Sequence, residues 1–247
     1  MKKLLNLSLI IGLLAMCYTT FTACSNDDEH EQGSTTLVND KRLVKFIYSD
    51  GSKTYTYTID YNSMGQIVRV NTMSPSGSTT SRSYVYEENK ITVKEGMSVT
   101  VYELSNGRIV SQNQSPKIID YKYDDQGQLI SEGPYKYTWS NGNVVKMSHD
   151  ENDASYPYAY TVTYSYTNYS SALLPRIVSI GDWVLATQGF LGKRSKNLLS
   201  KKVYSSSQKE DIQRHNNSFD YTIEEGVVTK LIEQESSWTN VYTFLWE

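Results

Sequence analysis

Cysteine is nearly missing from this 247-residue chain: there are two, Cys17 and Cys24, both near the N-terminus. What folds after them has no thiol for a disulfide or a cysteine-built metal site, so its stability must come from packing and hydrogen bonds. Histidine is almost as scarce, with His30, His149 and His215 far apart in sequence. No HExxH, GxSxG or phosphate-loop motif occurs, which weighs against metalloprotease, hydrolase and nucleotide chemistry. His149, Asp150, Glu151 and Asp153 offer nitrogen and oxygen ligands, but without the ordered spacing and turn glycine of a calcium loop, so no metal and no cofactor is expected. Paired carboxylates that meet only in the fold, as in a glycosidase, stay open at this level. Long apolar runs are also lacking, apart from Leu4 to Cys17, which is too short to span a bilayer.

That run has a function of its own. Lys2-Lys3 ahead of it makes an export signal, and the residue before each cysteine decides where it ends, because signal peptidases need a small side chain there. Met16 is too large and Ala23 fits. Phe21-Thr22-Ala23-Cys24 resembles a bacterial lipobox, which implies a signal peptide over 1–23 and a mature N-terminus at Cys24 carrying diacylglyceryl and palmitate-type acyl chains. A secreted protein cut near Ala23 with a free thiol is the alternative. The segment 24–40 reads as a solvated tether, acidic at Asp27 to Glu31 and polar beyond. Its acidic start resembles the surface-export signal of outer-membrane lipoproteins in Gram-negative gut anaerobes; a plain periplasmic linker is the other reading. Without Lys2 and Lys3 the chain holds 22 basic residues against 27 acidic ones, so nucleic acid is not an expected partner.

From 41 to 247 the sequence reads as one β domain. Tyr55, Tyr57, Ile59 and Tyr61 share one parity, with Thr54, Thr56, Thr58 and Asp60 on the other, which is a strand's alternation. Tyr121 to Ser131 packs a strand, a turn and a second strand into one short unit, and Tyr156, Tyr158, Tyr160, Val162, Tyr164 and Tyr166 share one parity in a further ladder. Turn residues recur at Gly65, Asn89, Gly107, Gly127 and Gly142, with spacings of 24, 18, 20 and 15. About 20 residues suit two short strands and two turns, so the expected fold is all-β: an extended, strongly curved antiparallel meander of repeated hairpins. Asp124-Asp125 invites a catalytic or metal role, but most copies of the unit lack the second carboxylate, so turn chemistry explains it better. Arg176 to Ile180 reads as another strand. The departure from the repeat is 181–202, where Asp182 can cap Trp183-Val184-Leu185-Ala186 before Gly189 and Gly192 break it; a short helical and loop insertion over one end of the sheet is expected.

The units around Tyr61 to Ile67, Tyr123 to Ile130 and Tyr137 to Val145, together with Leu191 to Leu198, resemble an uncharacterised bacterial lipoprotein family, a domain of unknown function with a porin-like fold. Their repeats are similar to the tyrosine-aspartate (YD/Rhs-type) β repeats. The resemblance implies a curved antiparallel sheet and brings no established activity or catalytic residues. A bilayer-embedded barrel is not expected, because Thr, Ser, Lys and Asp stand opposite the tyrosines where a lipid-facing band would be.

Tyrosine ladders can stack on sugars, yet regular alternation over many strands is what a buried face needs anyway. Trp183 and Trp238, outside the repeat register, are the better ligand-binding candidates. Lys193, Arg194 and Lys196 form a basic cluster suited to an anionic glycan or phosphate, or simply a solvated loop. The expectation is a non-enzymatic, lipid-anchored outer-membrane protein facing the cell exterior, held to the membrane through Cys24. It would bind or assist with extracellular glycan or another envelope protein. The alternatives are a structural component that docks a partner through a sheet edge, and a glycoside-acting enzyme.

Overall fold

The ring-and-threonine alternation at 54–61 becomes a strand with Ile59 buried and Thr54, Thr58 and Asp60 exposed. The same division recurs in other strands, as at 90–95, 117–123 and 217–224. The structure, a computed structural model, describes residues 37–114, 117–149, 159–177, 182–206 and 216–247. The signal, the lipobox with Cys24, most of the tether, the group Asp150, Glu151 and Asp153, the ladder's first rings Tyr156 and Tyr158, and Val178 to Ile180 lie outside the described residues.

The strands are β1 (Leu37–Val38), β2 (Lys41–Ser49), β3 (Thr54–Tyr61), β4 (Ile67–Met73), β5 (Thr79–Glu87), β6 (Lys90–Glu95), β7 (Ser98–Ser105), β8 (Arg108–Gln114) and β9 (Lys117–Tyr123). They continue with β10 (Leu129–Glu132), β11 (Tyr135–Ser140), β12 (Asn143–His149), β13 (Tyr160–Ser170), β14 (Asn197–Ser206), β15 (Asn217–Glu224), β16 (Val227–Gln234) and β17 (Thr239–Trp246). From β2 onward each strand pairs antiparallel with the next, and β17 returns to pair with β2 across Val241–Ser49 to Trp246–Leu43. The meander is therefore not extended: β2 to β17 close into a barrel of sixteen strands. Closure follows from strand number and curvature together, because a strongly twisted sheet of this many strands curls until its ends meet. Arg42 and Glu247 seal the seam by exchanging backbone hydrogen bonds.

An up-and-down barrel sorts its turns onto two rims. One, the near rim, collects β1, the C-terminus and the turns at Gly65, Gly107, Gly127, Gly142 and Gly226, so the glycine spacing seen in sequence is the spacing of near-rim turns. Asn106-Gly107, Asn141-Gly142 and Glu225-Gly226 have positive φ at both residues, as two-residue hairpin turns demand. Asp124 is turn chemistry as expected: its Oδ1 accepts from the amides of Gln126 at 3.0 Å and Gln128 at 2.8 Å.

The near rim also carries a repeated irregularity. Against the preceding strand, Val44, Val68, Val110, Ile130, Val145, Ser200 and Thr229 are each an extra, bulged residue. In all seven cases the carbonyl just before the bulge accepts a hydrogen bond from an inward aromatic on the following strand. Tyr61 reaches Leu43 at 2.6 Å, Tyr86 reaches Ile67 at 2.6 Å and Tyr123 reaches Ile109 at 2.8 Å. Trp139 Nε1 reaches Leu129 at 2.8 Å, Tyr166 reaches Val144 at 2.6 Å, Tyr221 reaches Leu199 at 2.7 Å and Trp246 Nε1 reaches Val228 at 2.8 Å. The rings fill the interior and their polar tips serve the backbone.

Tyr221→Phe keeps the ring and removes the donor, so it should cost about 1–2 kcal/mol. Tyr169→Phe, at a ring that is 53% exposed, should stay within about 0.5 kcal/mol of the parent protein in urea unfolding.

Candidate functional site

The connection between β13 and β14 is the longest described departure from hairpin grammar, and its described residues pack into the near-rim end of the barrel. A single 3-10 turn, Ser171–Leu173, opens it, with the Ser170 hydroxyl accepting from the Ala172 amide. Arg176 and Ile177 belong to this connection and not to a strand. The helix α1 (Trp183–Thr187) follows, and the segment ends at β14, so residues 197–202 are strand rather than insertion. Val184, Leu185 and Ala186 share one core with wall residues from β2 to β17 and are at most 2% exposed.

Asp182 caps α1 as its sequence position suggests, accepting from the amides of Val184 at 2.9 Å and Leu185 at 3.3 Å. The same carboxylate pairs with Arg82 on β5 at 2.7 Å and lies 3.4 Å from the Tyr84 hydroxyl. Trp183 meets the Phe46 ring edge-on at 5.8 Å. Gln188 donates to the Tyr86 hydroxyl, and Phe190 stacks on the Tyr86 ring. The Phe190 carbonyl takes the Ile109 amide at 2.9 Å. Gly192 passes so close to the β9–β10 turn that a Cβ there would lie 2.5 Å from the Gly127 carbonyl oxygen, and its φ of +72 favours glycine in any case. Lys193 and Lys196 donate their amides to the carbonyls of Gly127 and Gly142, and Ser195 Oγ accepts from the Val144 amide at 3.1 Å. The segment thus touches strands around much of the ring and serves backbone groups on the bulged rim.

The candidate ligand residues do not form one site. Trp183 is engaged in the core, Lys193, Arg194 and Lys196 lie at the near rim, and Trp238, 38% exposed, sits in the β16–β17 turn at the far rim. Arg194 donates to the carbonyls of Ser171 and Leu174, so it holds the connection together. The tyrosine ladders point inward, with Val162 buried and Thr163 and Ser165 exposed.

Sequence order gave no sign of the polar networks inside the wall. Glu132 accepts from Tyr137 at 2.8 Å and lies 3.2 Å from the Tyr121 hydroxyl, which itself donates to Gln112 at 2.8 Å. Glu233 accepts from Asn217 at 2.9 Å and from Asn240 and Tyr242. Arg82, Asp182 and Tyr84 make the third. Glu132 and Glu233 draw on neighbouring strands, whereas Asp182 meets Arg82 and Tyr84 from a distant part of the chain. His149, 2% exposed, stacks on Tyr160 with ring centroids 5.0 Å apart. Among the described residues no group of three or more metal-ligating side chains occurs, and no helix is long and apolar enough to cross a membrane.

With a sixteen-stranded meander closed around an internal segment, the chain superposes on a crystal structure of a porin-like protein from Bacteroides uniformis with a TM-score of 0.63. The fold is that of porin-like proteins. Identity is 14% over 83% of this chain and 98% of the other. A porin-like protein from Bacteroides vulgatus gives a TM-score of 0.58 at 13% identity, with the same coverages. No protein-family model matches the chain, and no curated protein matches it. At these identities the likeness establishes the porin-like barrel and nothing about what it does.

Burial raises the carboxyls of Glu132 and Asp182 above the usual range. A carboxyl raised in the folded state holds its proton more tightly there than in the unfolded chain. Stability is therefore greatest in acid on this account and falls as pH rises from the ordinary carboxylate range through the raised value. Glu132→Gln keeps an acceptor for Tyr137 and gains a donor for the Tyr121 oxygen while losing the charge. Its urea midpoint should exceed that of the parent protein at pH 7.5, and the difference should shrink at pH 4.5.

Proposed function

We propose that the protein is a non-enzymatic outer-membrane lipoprotein whose barrel stands in water on a short tether from Cys24, serving as a binding or accessory component at the cell surface. The observation that carries this reading is the outer wall. Arg69, Asp120, Lys146, Lys201, Asp220 and Lys230 lie near the middle of their strands and are exposed. A bilayer-embedded barrel presents an apolar band there, and a basic side chain at the midplane costs about 2–4 kcal/mol. Membrane attachment then falls to the N-terminus, where the lipobox-like sequence supplies acyl chains and multiple chains anchor durably. The resemblance to a lipoprotein family with YD-type repeats points the same way.

The tether enters at the near rim through β1, which leaves the far rim free to meet material outside the cell. Trp238 lies on that far rim and supports glycan contact by ring stacking. Docking by strand addition has little to use, since β2 to β17 are each paired on both sides. An envelope partner would instead contact the far-rim turns. Glu132, Asp182 and Glu233 are each engaged in a separate network, which favours binding over glycoside chemistry.

Cys24→Ala should move the protein from the membrane pellet to the soluble fraction on cell fractionation; retention in the pellet would refute the anchor. In affinity electrophoresis, the protein should be retarded by an immobilised polysaccharide and Trp238→Ala should reduce that retardation. No retardation by any polysaccharide would remove the glycan version and leave the protein-partner version.

A further inference from the structure

Between the internal segment and the wall lies a cavity of about 130 Å³. Trp139, Tyr164 and Tyr166 on the wall and Leu174 and Leu191 on the segment give it an apolar body. Its charged lining is of one sign: Arg176, Lys193 and Arg194 contribute, and no carboxylate does among the described residues. Arg194 is committed to the Ser171 and Leu174 carbonyls, and Lys193 is exposed. Arg176 is the cation with capacity to spare. Its backbone amide donates to Thr187 Oγ1 at 2.9 Å and one guanidinium nitrogen donates to the Gly192 carbonyl at 3.2 Å, which leaves most of its five donors uncommitted. No described acid lies within ion-pair distance of it.

Burial and the neighbouring Arg194 push the Arg176 guanidinium down to about 9. A guanidinium in this setting is costly without a counter-ion, and no acid among the described residues supplies one. Two other cations have an acid beside them. Arg82 has Asp182, and Glu233 is the favourable charge beside Lys202. The cavity therefore sets an Arg176 guanidinium with no acid beside it against an apolar space. Its size matches one benzene-sized body, since a cavity of about 150 Å³ accepts benzene, and planar Arg donors suit a carboxylate taken side-on.

We propose that this cavity binds a small organic carboxylate, its apolar body against Trp139 and the leucines and its carboxylate on Arg176, with Lys193 at the mouth. The assignment concerns the barrel interior and does not depend on what the outer surface meets.

Isothermal titration of the whole mature protein with benzoate, and with benzyl alcohol as its neutral counterpart, tests it. Benzoate should bind one to one and about tenfold tighter than the alcohol, and Arg176→Gln should bring benzoate to the level of the alcohol. Val144→Phe, which fills the cavity from the wall and leaves Arg176 in place, is the second variant and should abolish benzoate binding. The assignment is overturned by no saturable benzoate binding in the millimolar range, by equal affinity for the two probes, or by unchanged benzoate affinity in either folded variant.

Discussion

A backbone carbonyl turned out of the β ladder needs a donor, and seven times around this barrel an inward aromatic supplies it. The need arises from the bulges. An extra residue in one strand bends it, increases its twist and disrupts the local ladder, and placing that residue repeatedly on the same rim gives the sheet a consistent curvature that lets short strands close. The carbonyls before Val44, Val68, Val110, Ile130, Val145, Ser200 and Thr229 are the ones served. Tyr and Trp suit the task because each reaches across a strand with an apolar body that packs and a polar tip that donates. Curvature, core filling and backbone satisfaction are thus one device, repeated.

Closure brings a second constraint. Wall side chains fill the interior of a barrel of about eight strands, whereas sixteen leave a wide lumen. The β13–β14 connection resolves this at the near rim by laying Val184, Leu185, Ala186 and Leu191 into the core. Its backbone is also used: Phe190, Lys193 and Lys196 bond to wall residues beside the bulges and turns, where a disrupted ladder leaves groups to be satisfied. The wall networks around Glu132 and Glu233 hold acids among tyrosines and amides. That suits a space too wide for aliphatic packing, and burial raises the Glu132 carboxyl accordingly.

Much of this was legible in the chain, and the limits have physical causes. Alternating tyrosines and the turn glycines reveal hairpins because strand parity and positive φ are local demands. The bulges leave a fainter mark in doublets such as Ile67-Val68, Ile109-Val110 and Val144-Val145, which interrupt the alternation and read only as strand starts. Closure has no local signal, since β17 meets β2 across almost the whole domain. The break in pattern after Gly181 is plain in sequence, but a helix of five residues has too few positions to show which way it faces. Arg176 is harder still: it reads as part of a strand, and only the folded segment sets it beside Trp139 and Leu174.

The one unit that departs from the rule explains why the rule holds. Between β5 and β6 the register runs regularly from Arg82–Glu95 to Glu87–Lys90, with no extra residue after Ile91. Where the following strand should offer an aromatic to the Ile91 carbonyl, β7 has Leu104, which has nothing to donate. Bulge and donor are missing together. If the aromatics served only to fill the core, a missing bulge would not predict a missing ring; if the bulges served only to curve the sheet, they would not need a Tyr or Trp opposite. An unbulged Ile91 keeps its carbonyl in the ladder, so the donor there is unnecessary and an aliphatic side chain suffices. The repeat is therefore a pair of positions on successive strands, and it is this pairing, more than the tyrosine alternation alone, that makes each hairpin a segment of a closed wall.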